Sequence, residues 1–285
     1  MRRSLLAALL ALSLPPAASP QAATPQLAAP AAPAAPAAPA PVATAASPIG
    51  SRIWIGRDTE VQQFLRTAAI EKLESVPVGV TKPQKGLFAP GGLARAAAVK
   101  HLPSGNRNGF WESYKSEVAA YELDRLLGLD MVPVTVERRV GSDLASVQLW
   151  VEDCKLLKEV NQAACPRESD WAKQVCRQRV FDNLTANIDR NAGNLLVDPE
   201  WNLILIDHSR AFAANRMPFE KEMTRIDKEL FGRLKALDRG ALDQHVRPWV
   251  LSEGSIKDLL KRRDKIVARF EQLARERGEA VVFPW

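Results

Sequence analysis

The sequence is poor in the residues that most directly announce chemistry or covalent scaffolding: three cysteines and three histidines in 285 residues. His101, His208 and His245 are too scattered to read as a zinc site. No serine stands in a nucleophile elbow with histidine and aspartate partners in order. The cysteines, Cys154, Cys165 and Cys176, are spaced by eleven. One continuous helix would hold successive members about 16 Å apart, beyond bridging reach. Asn161 and Pro166 break that segment, so Cys154 and Cys165 can close a loop, while Cys176 is expected as a buried free thiol. The chain is 46% apolar and 25% charged, which excludes a wholly disordered chain and a polytopic membrane protein. The net charge is +6; Arg2 and Arg3 supply two of these charges, and the remaining +4 gives no reason to expect a nucleic-acid partner.

The first fifty residues lack acidic side chains altogether, hold ten of the twenty prolines, and carry Arg2 and Arg3 as their charged side chains. After these arginines, Leu5 to Leu14 is a ten-residue, mostly apolar run, followed by small residues and prolines. That is the pattern of an export signal, assigned here to residues 1–23. As a helix the run rises only about 15 Å, half of a bilayer core, so a permanent span is not expected. No cysteine lies there to carry a lipid anchor. Residues 24–50 are alanine and proline with a local Ala-Ala-Pro period, too poor in large apolar side chains to form a core, and read as an extended spacer. The expected location is periplasmic or secreted. About 235 residues remain, 51–285, enough for a sizeable core without staples.

Within them, Arg52 to Glu74 reads as a short strand, Ile53 to Ile55, followed by a helix with Val61, Phe64, Leu65 and Ala68 on one face. Val76 to Pro83, Lys85 to Pro90 and Ala94 to His101 are β-rich. Glu112 to Leu127 is helical and ends at Gly128. Val132 to Val140 and Ser146 to Val151 are strands. After Cys154 the pattern turns helical. Ser169 is expected to cap a helix with Trp171, Val175, Cys176, Val180 and Leu184 on its face. Two apolar runs, Leu195 to Val197 and Leu203 to Ile206, flank Asp-Pro-Glu-Trp-Asn as a β-hairpin, and Ile226 to Gly278 holds three helical stretches. In the last of these, Lys257 to Arg277 carries eight basic and four acidic residues and reads as a solvated face.

Five polar residues fall into an order that chemistry can use. Lys100 lies on a strand, Glu117 early in the next helix, Asp189 and Asn194 five apart in one polar loop, and Asp207 at the exit of the hairpin. The hairpin returns the chain beside that loop. Transfer of the ATP γ-phosphoryl group needs a cation on the phosphates, a carboxylate to hold that cation, oxygen ligands for Mg²⁺, and a carboxylate near the incoming hydroxyl. Singly, each residue has an ordinary explanation: turn chemistry for the Asp and Asn, a solvated edge for the lysine, and a surface ion pair for Glu117, with Glu112 and Glu122 open to the same role.

Asn187-Ile-Asp-Arg-Asn-Ala-Gly-Asn194, followed by Leu-Ile-Asp207-His-Ser-Arg, resembles the atypical kinase superfamily. Its members include phosphatidylinositol 3- and 4-kinases, HipA toxin kinases and secretory-pathway casein and sugar kinases. Ser116-Glu-Val-Ala-Ala-Tyr-Glu-Leu-Asp-Arg-Leu-Leu-Gly-Leu-Asp-Met-Val-Pro133 resembles the helix and following strand of that group's small lobe, so that the similarity spans about Val76 to Phe212. The resemblance implies an α+β, two-lobed kinase-like fold, with a β-rich lobe over about 51–151 and a helical lobe over about 152–285. It selects Glu117 as the partner of Lys100, places Lys100 on the α- and β-phosphates, makes Asp189 catalytic, and puts Asn194 and Asp207 on Mg²⁺ or Mn²⁺. Leu149 to Glu152 would be the hinge, with Leu149 and Val151 beside the nucleotide. No Gly-x-Gly-x-x-Gly loop is present; Gly79-Val-Thr-Lys-Pro-Gln-Lys-Gly86 stands in its place, with Lys82 on the phosphates. His-Arg-Asp and Asp-Phe-Gly are replaced by Ile-Asp-Arg and Asp-His-Ser, as the atypical group allows. His208 is expected as a supporting or surface residue. The implied activity is ATP-dependent phosphorylation of a hydroxyl on a protein, glycan or lipid. Scarce ATP outside a bacterial cytoplasm keeps an alternative open, an exported pseudokinase that binds nucleotide or a partner.

Overall fold

The computed structural model describes residues 51–76, 83–214, 216–218, 220–250 and 253–285. The export signal, the spacer and Lys82 lie outside the described residues. An amphipathic helix, α1 (Asp58–Thr67), opens the domain; Val61 and Leu65, four apart, are buried, and Asp58 and Glu60 stand at its positive end. Its C-terminal carbonyls of Leu65 and Ala68 accept from Arg138 Nη1 (2.9 and 2.8 Å). Strands β1 (Ile70–Ser75), β2 (Gln84–Phe88), β3 (Ala96–Lys100), β6 (Thr135–Val140) and β7 (Asp143–Leu149) form an antiparallel sheet in the order β1-β2-β3-β7-β6. Between β3 and β6 the chain inserts a small hairpin, β4 (Gly105–Arg107) and β5 (Phe110–Glu112), and the helix α2 (Tyr114–Leu127).

The central strand β3 reads Ala-Ala-Ala-Val-Lys and is buried along most of its length. Small side chains let neighbouring layers approach, and alternation puts Lys100 on the same face as Ala98, opposite Ser146 of β7. Helix α2 starts where the Ser113 hydroxyl accepts the Lys115 amide (3.1 Å) and stops where Gly128 turns left-handed at φ 54°. Ten of its fourteen residues are buried, because it is covered by the sheet on one side and by helices of the second half on the other. Past Leu149 and Val151, both buried, the chain enters that half. There β8 (Lys155–Leu156) pairs with β9 (Leu195–Val197), which pairs with β10 (Leu203–Leu205). On this sheet packs α3 (Glu168–Thr185), against which lies the long α6 (Glu253–Arg277), itself packed on α4 (Lys228–Ala236) and α5 (Arg239–His245). No helix among the described residues is long and apolar enough to cross a membrane.

Several expectations change. Ile53 to Ile55 is turn, not strand: Trp54 is buried alone while Ile55 is exposed, so no alternating face exists to pair. The first helix, expected to run on to Glu74, ends at Thr67, and Ile70–Ser75 is instead strand β1; its Ile-Glu-Lys-Leu-Glu-Ser has little apolar content, as suits an edge strand protected by charge. The β4–β5 hairpin also went unread, although Asn108-Gly109, with φ of 51° and 81°, is the usual chemistry of a two-residue turn. Ser169 does not cap α3; Arg167 holds that position, and the Ser169 hydroxyl accepts the Trp285 indole N–H (3.0 Å). All three cysteines are free thiols, and Cys176 is only half-buried. Arg262 of α6 departs from the solvated face: it is buried and donates from Nε to the carbonyl of Leu184 (2.7 Å), one of the unsatisfied acceptors at the end of α3.

Candidate active site

Three of the five polar residues converge where the sheet meets the second half. Lys100 Nζ lies 2.6 Å from Glu117 Oε1 and 2.7 Å from Asp207 Oδ1. The ammonium and Glu117 are buried, and an isolated charge there would be costly; each is tolerated because it is paired. Burial alone would lower the lysine, yet the two carboxylates outweigh it and hold Lys100 above its ordinary value. Burial would likewise raise Asp207, but the Lys100 ammonium, with a hydrogen bond from Ser209 (3.0 Å), keeps the carboxylate well below the usual range. Glu117 spends its second oxygen on the backbone N–H of His208 (2.9 Å), so one carboxylate ties α2 to both the strand lysine and the chain beyond β10. Asp207 itself sits at φ 57°, a left-handed turn that breaks the chain direction after the hairpin.

The polar loop is built around a residue that sequence reading passed over. Arg190 Nε bonds both oxygens of Asp182 at the end of α3 (3.0 and 2.9 Å). Its Nη1 donates to the carbonyls of Asn194 (2.6 Å) and Ile206 (2.7 Å), and its Nη2 lies 2.8 Å from His208 Nε2. One buried guanidinium thereby fixes Asn194 and the residue before Asp207 against each other. Because arginine only donates, His208 Nε2 must accept, so the imidazole is neutral; burial, then the Arg190 charge, holds it well below its ordinary value. His208 is wholly buried and supports the loop, the first of its two expected roles. The only sequence signal for Arg190 was its place directly after Asp189.

Asp189 is half-exposed, and its backbone carbonyl accepts the Asn194 side-chain amide (3.1 Å). Among the described residues, no protein donor reaches Asn194 Oδ1 or Asp207 Oδ2. These are two hard oxygen atoms, one of them anionic. No group of three or more His, Cys, Asp or Glu able to hold a metal occurs among the described residues. That donor set suits a cation that arrives with phosphate oxygens and keeps water ligands, as Mg²⁺ or Mn²⁺ does, rather than a caged metal. The expected hinge residues Leu149 and Val151 leave the sheet at the end of β7, where the Trp150 N–H donates to Ala96 O (3.1 Å).

No protein-family model matches the sequence, and no curated protein matches it. Solved structures do resemble the fold. A Golgi casein kinase with Mn and ADP bound superimposes with a TM-score of 0.59 at 16% identity, covering 79% of this chain and 78% of that one. A hydra Fam20 structure with sugar gives 0.60 at 14% identity, covering 79% and 91%. The fold therefore resembles that of these solved kinases, α+β with a small antiparallel sheet lobe and a helical C-terminal region, as the sequence resemblance implied.

Proposed function

We propose that the protein transfers the γ-phosphoryl group of ATP, with Mg²⁺ or Mn²⁺, to a hydroxyl of a protein, glycan or lipid. The observation that carries this reading is the assembled bridge Glu117–Lys100–Asp207, at 2.6 and 2.7 Å, beside the Asp189–Asn194 loop. A binding module has no need to hold a lysine charged between two carboxylates in that order. In this reading Lys100 contacts the α- and β-phosphates while Glu117 fixes its direction. Asp207 and Asn194 would hold the metal, whose charge would offset that of the phosphates. Asp189 accepts the proton of the acceptor hydroxyl as its oxygen bonds to phosphorus and ADP leaves. Lys82, Leu149 and Val151 complete the nucleotide site. The manganese and ADP in the Golgi casein kinase structure accord with this nucleotide and metal chemistry.

Residues 1–23 direct export and 24–50 act as a spacer, so the domain works in the periplasm or outside the cell. Cell fractionation tests this, and a wholly cytoplasmic protein overturns it. For the chemistry, the purified protein is incubated with γ-labelled ATP and Mg²⁺ or Mn²⁺ beside Asp207→Ala. Label should reach the protein or a generic acceptor in the wild type and be lost in the variant. Metal-dependent ATP binding without transfer would favour the pseudokinase, and absence of binding would overturn the nucleotide reading.

A further inference from the structure

Arg210 and the β4–β5 hairpin take no part in the bridge described above, yet they reach the loop that carries Asp189. We propose that Arg210 is a positioning residue that holds the Asp189 carboxylate for the incoming hydroxyl, with the hairpin as its support; this rests on the phosphoryl-transfer reading. Arg210 Nη1 lies 3.2 Å from Asp189 Oδ2. Its Nε and Nη2 both bond Glu112 Oε1, at 2.8 and 2.7 Å. The ring of Phe110 covers the guanidinium, 4.5 Å from ring centroid to Cζ. Glu112 is buried and closes β5 opposite Gly105, and the next amide, of Ser113, donates to Ser209 O (3.0 Å). Hence the hairpin base grips the segment that follows Asp207 and sets the guanidinium before Asp189 meets it.

The Asp189–Arg210 contact alone adds little stability, since the aspartate side chain is 41% exposed and water competes for it. Its effect is directional. Arg210 is already ordered by Glu112 and Phe110, so pairing with it costs little further side-chain entropy. With Oδ2 held, Oδ1, which has no protein donor among the described residues, is the oxygen left for the acceptor proton. A carboxylate free to rotate would present that oxygen only part of the time, and small misplacements of a reacting group cost rate steeply. Lysine cannot replace this arrangement, because a single ammonium cannot meet Glu112 and Asp189 in one plane while stacking on Phe110.

The test measures transfer from γ-labelled ATP with Mn²⁺, together with calorimetric ATP binding and thermal melting, for wild type, Arg210→Ala, Arg210→Lys, Glu112→Gln and Asp189→Asn. Arg210→Ala and Arg210→Lys should each lower kcat by about a hundredfold. Their KM and binding constant for ATP should stay within about a factor of three, a change of under 1 kcal/mol. Added methylguanidine should restore part of the rate in Arg210→Ala and none in Asp189→Asn. Should Arg210→Ala melt without a cooperative transition, Arg210→Lys and Glu112→Gln carry the same comparison. Wild-type or faster transfer in the Arg210 variants overturns the assignment and leaves phosphoryl transfer standing. A wild type that transfers no label while binding or failing to bind ATP overturns the phosphoryl-transfer reading, and the assignment falls with it.

Discussion

Lys100 and Arg190 show at the residue scale why buried charge here is structural and chemical at once. Replacing Lys100 by methionine leaves Glu117 buried beside Asp207 without the cation between them. Label transfer from ATP should fall at least a hundredfold, and the melting temperature should fall as well. Lys100→Met combined with Glu117→Gln should recover stability but not transfer, because the amide removes the buried charge and not the missing contact to phosphate. Arg190 is bonded through all three of its guanidinium nitrogens to Asp182, two carbonyls and His208. Arg190→Ala should cost about 3–5 kcal/mol in denaturant unfolding. Arg190→Lys should recover only part of this, since one ammonium cannot serve two carbonyls and a carboxylate in the same plane.

At the scale of elements, α2 bears most of the coupling between the halves, and its C-terminal end holds a second buried carboxylate. Asp124 Oδ1 accepts the amides of Met131 and Val132 (both 3.1 Å) in the turn that leads to β6. Burial outweighs these bonds and raises its carboxyl from near 3.8 to about 8. A raised folded-state value means that the folded chain keeps a proton which the unfolded chain has lost. The associated stability is complete below the unfolded value and is lost as pH rises from about 4 to about 8. Asp124→Asn keeps the accepting oxygen and removes the titration. The two proteins should match near pH 4, and the wild type should fall behind by about 1.4 kcal/mol per pH unit between there and about pH 8, with no further change above it, read as the difference between their urea-unfolding free energies. Gly128, next on the chain after α2, is left-handed, and an added Cβ would fall 1.4 Å from Arg233 Nη1. Gly128→Ala should destabilise by about 1 kcal/mol or more through backbone strain and displacement of that arginine.

Across the whole molecule, the bridge joins β3, α2 and the segment after β10, three pieces separated by up to 107 residues in sequence. A nucleotide with its metal would bind the assembled arrangement and not the unfolded chain. In the proposed function, ATP with Mn²⁺ at a hundred times its dissociation constant should therefore add about 2.7 kcal/mol, a rise in melting temperature of roughly 5–10 °C for a domain of this size. Asp207→Ala should abolish the rise. A melting curve indifferent to ATP and metal in the wild type would count against nucleotide binding altogether.

Most of the longer elements and the candidate site residues are legible in the sequence. Periodicity located α2, α3 and the β9–β10 hairpin, and local chemistry at Gly128 marked the end of α2. The spacing of Lys100, Glu117, Asp189, Asn194 and Asp207, joined to the resemblance, singled out five residues, and the structure brings Lys100, Glu117 and Asp207 into direct contact, with Asn194 bonded to Asp189 beside them. Tertiary structure decided what depends on partners distant in the chain. Glu112 looked like a rival to Glu117, yet it faces Arg210, because the helix expected from Glu112 begins at Tyr114 and Glu112 ends β5 instead. Arg262 reads as part of a solvated face and Arg190 carries no signal of its own in the sequence, yet both meet backbone carbonyls in the folded chain. Strand β1 and the β4–β5 hairpin have few apolar side chains and owe their form to pairing. Apolar periodicity is a local record of which face will be buried; the partner of a buried charge is set by how distant segments meet, and no local pattern encodes it.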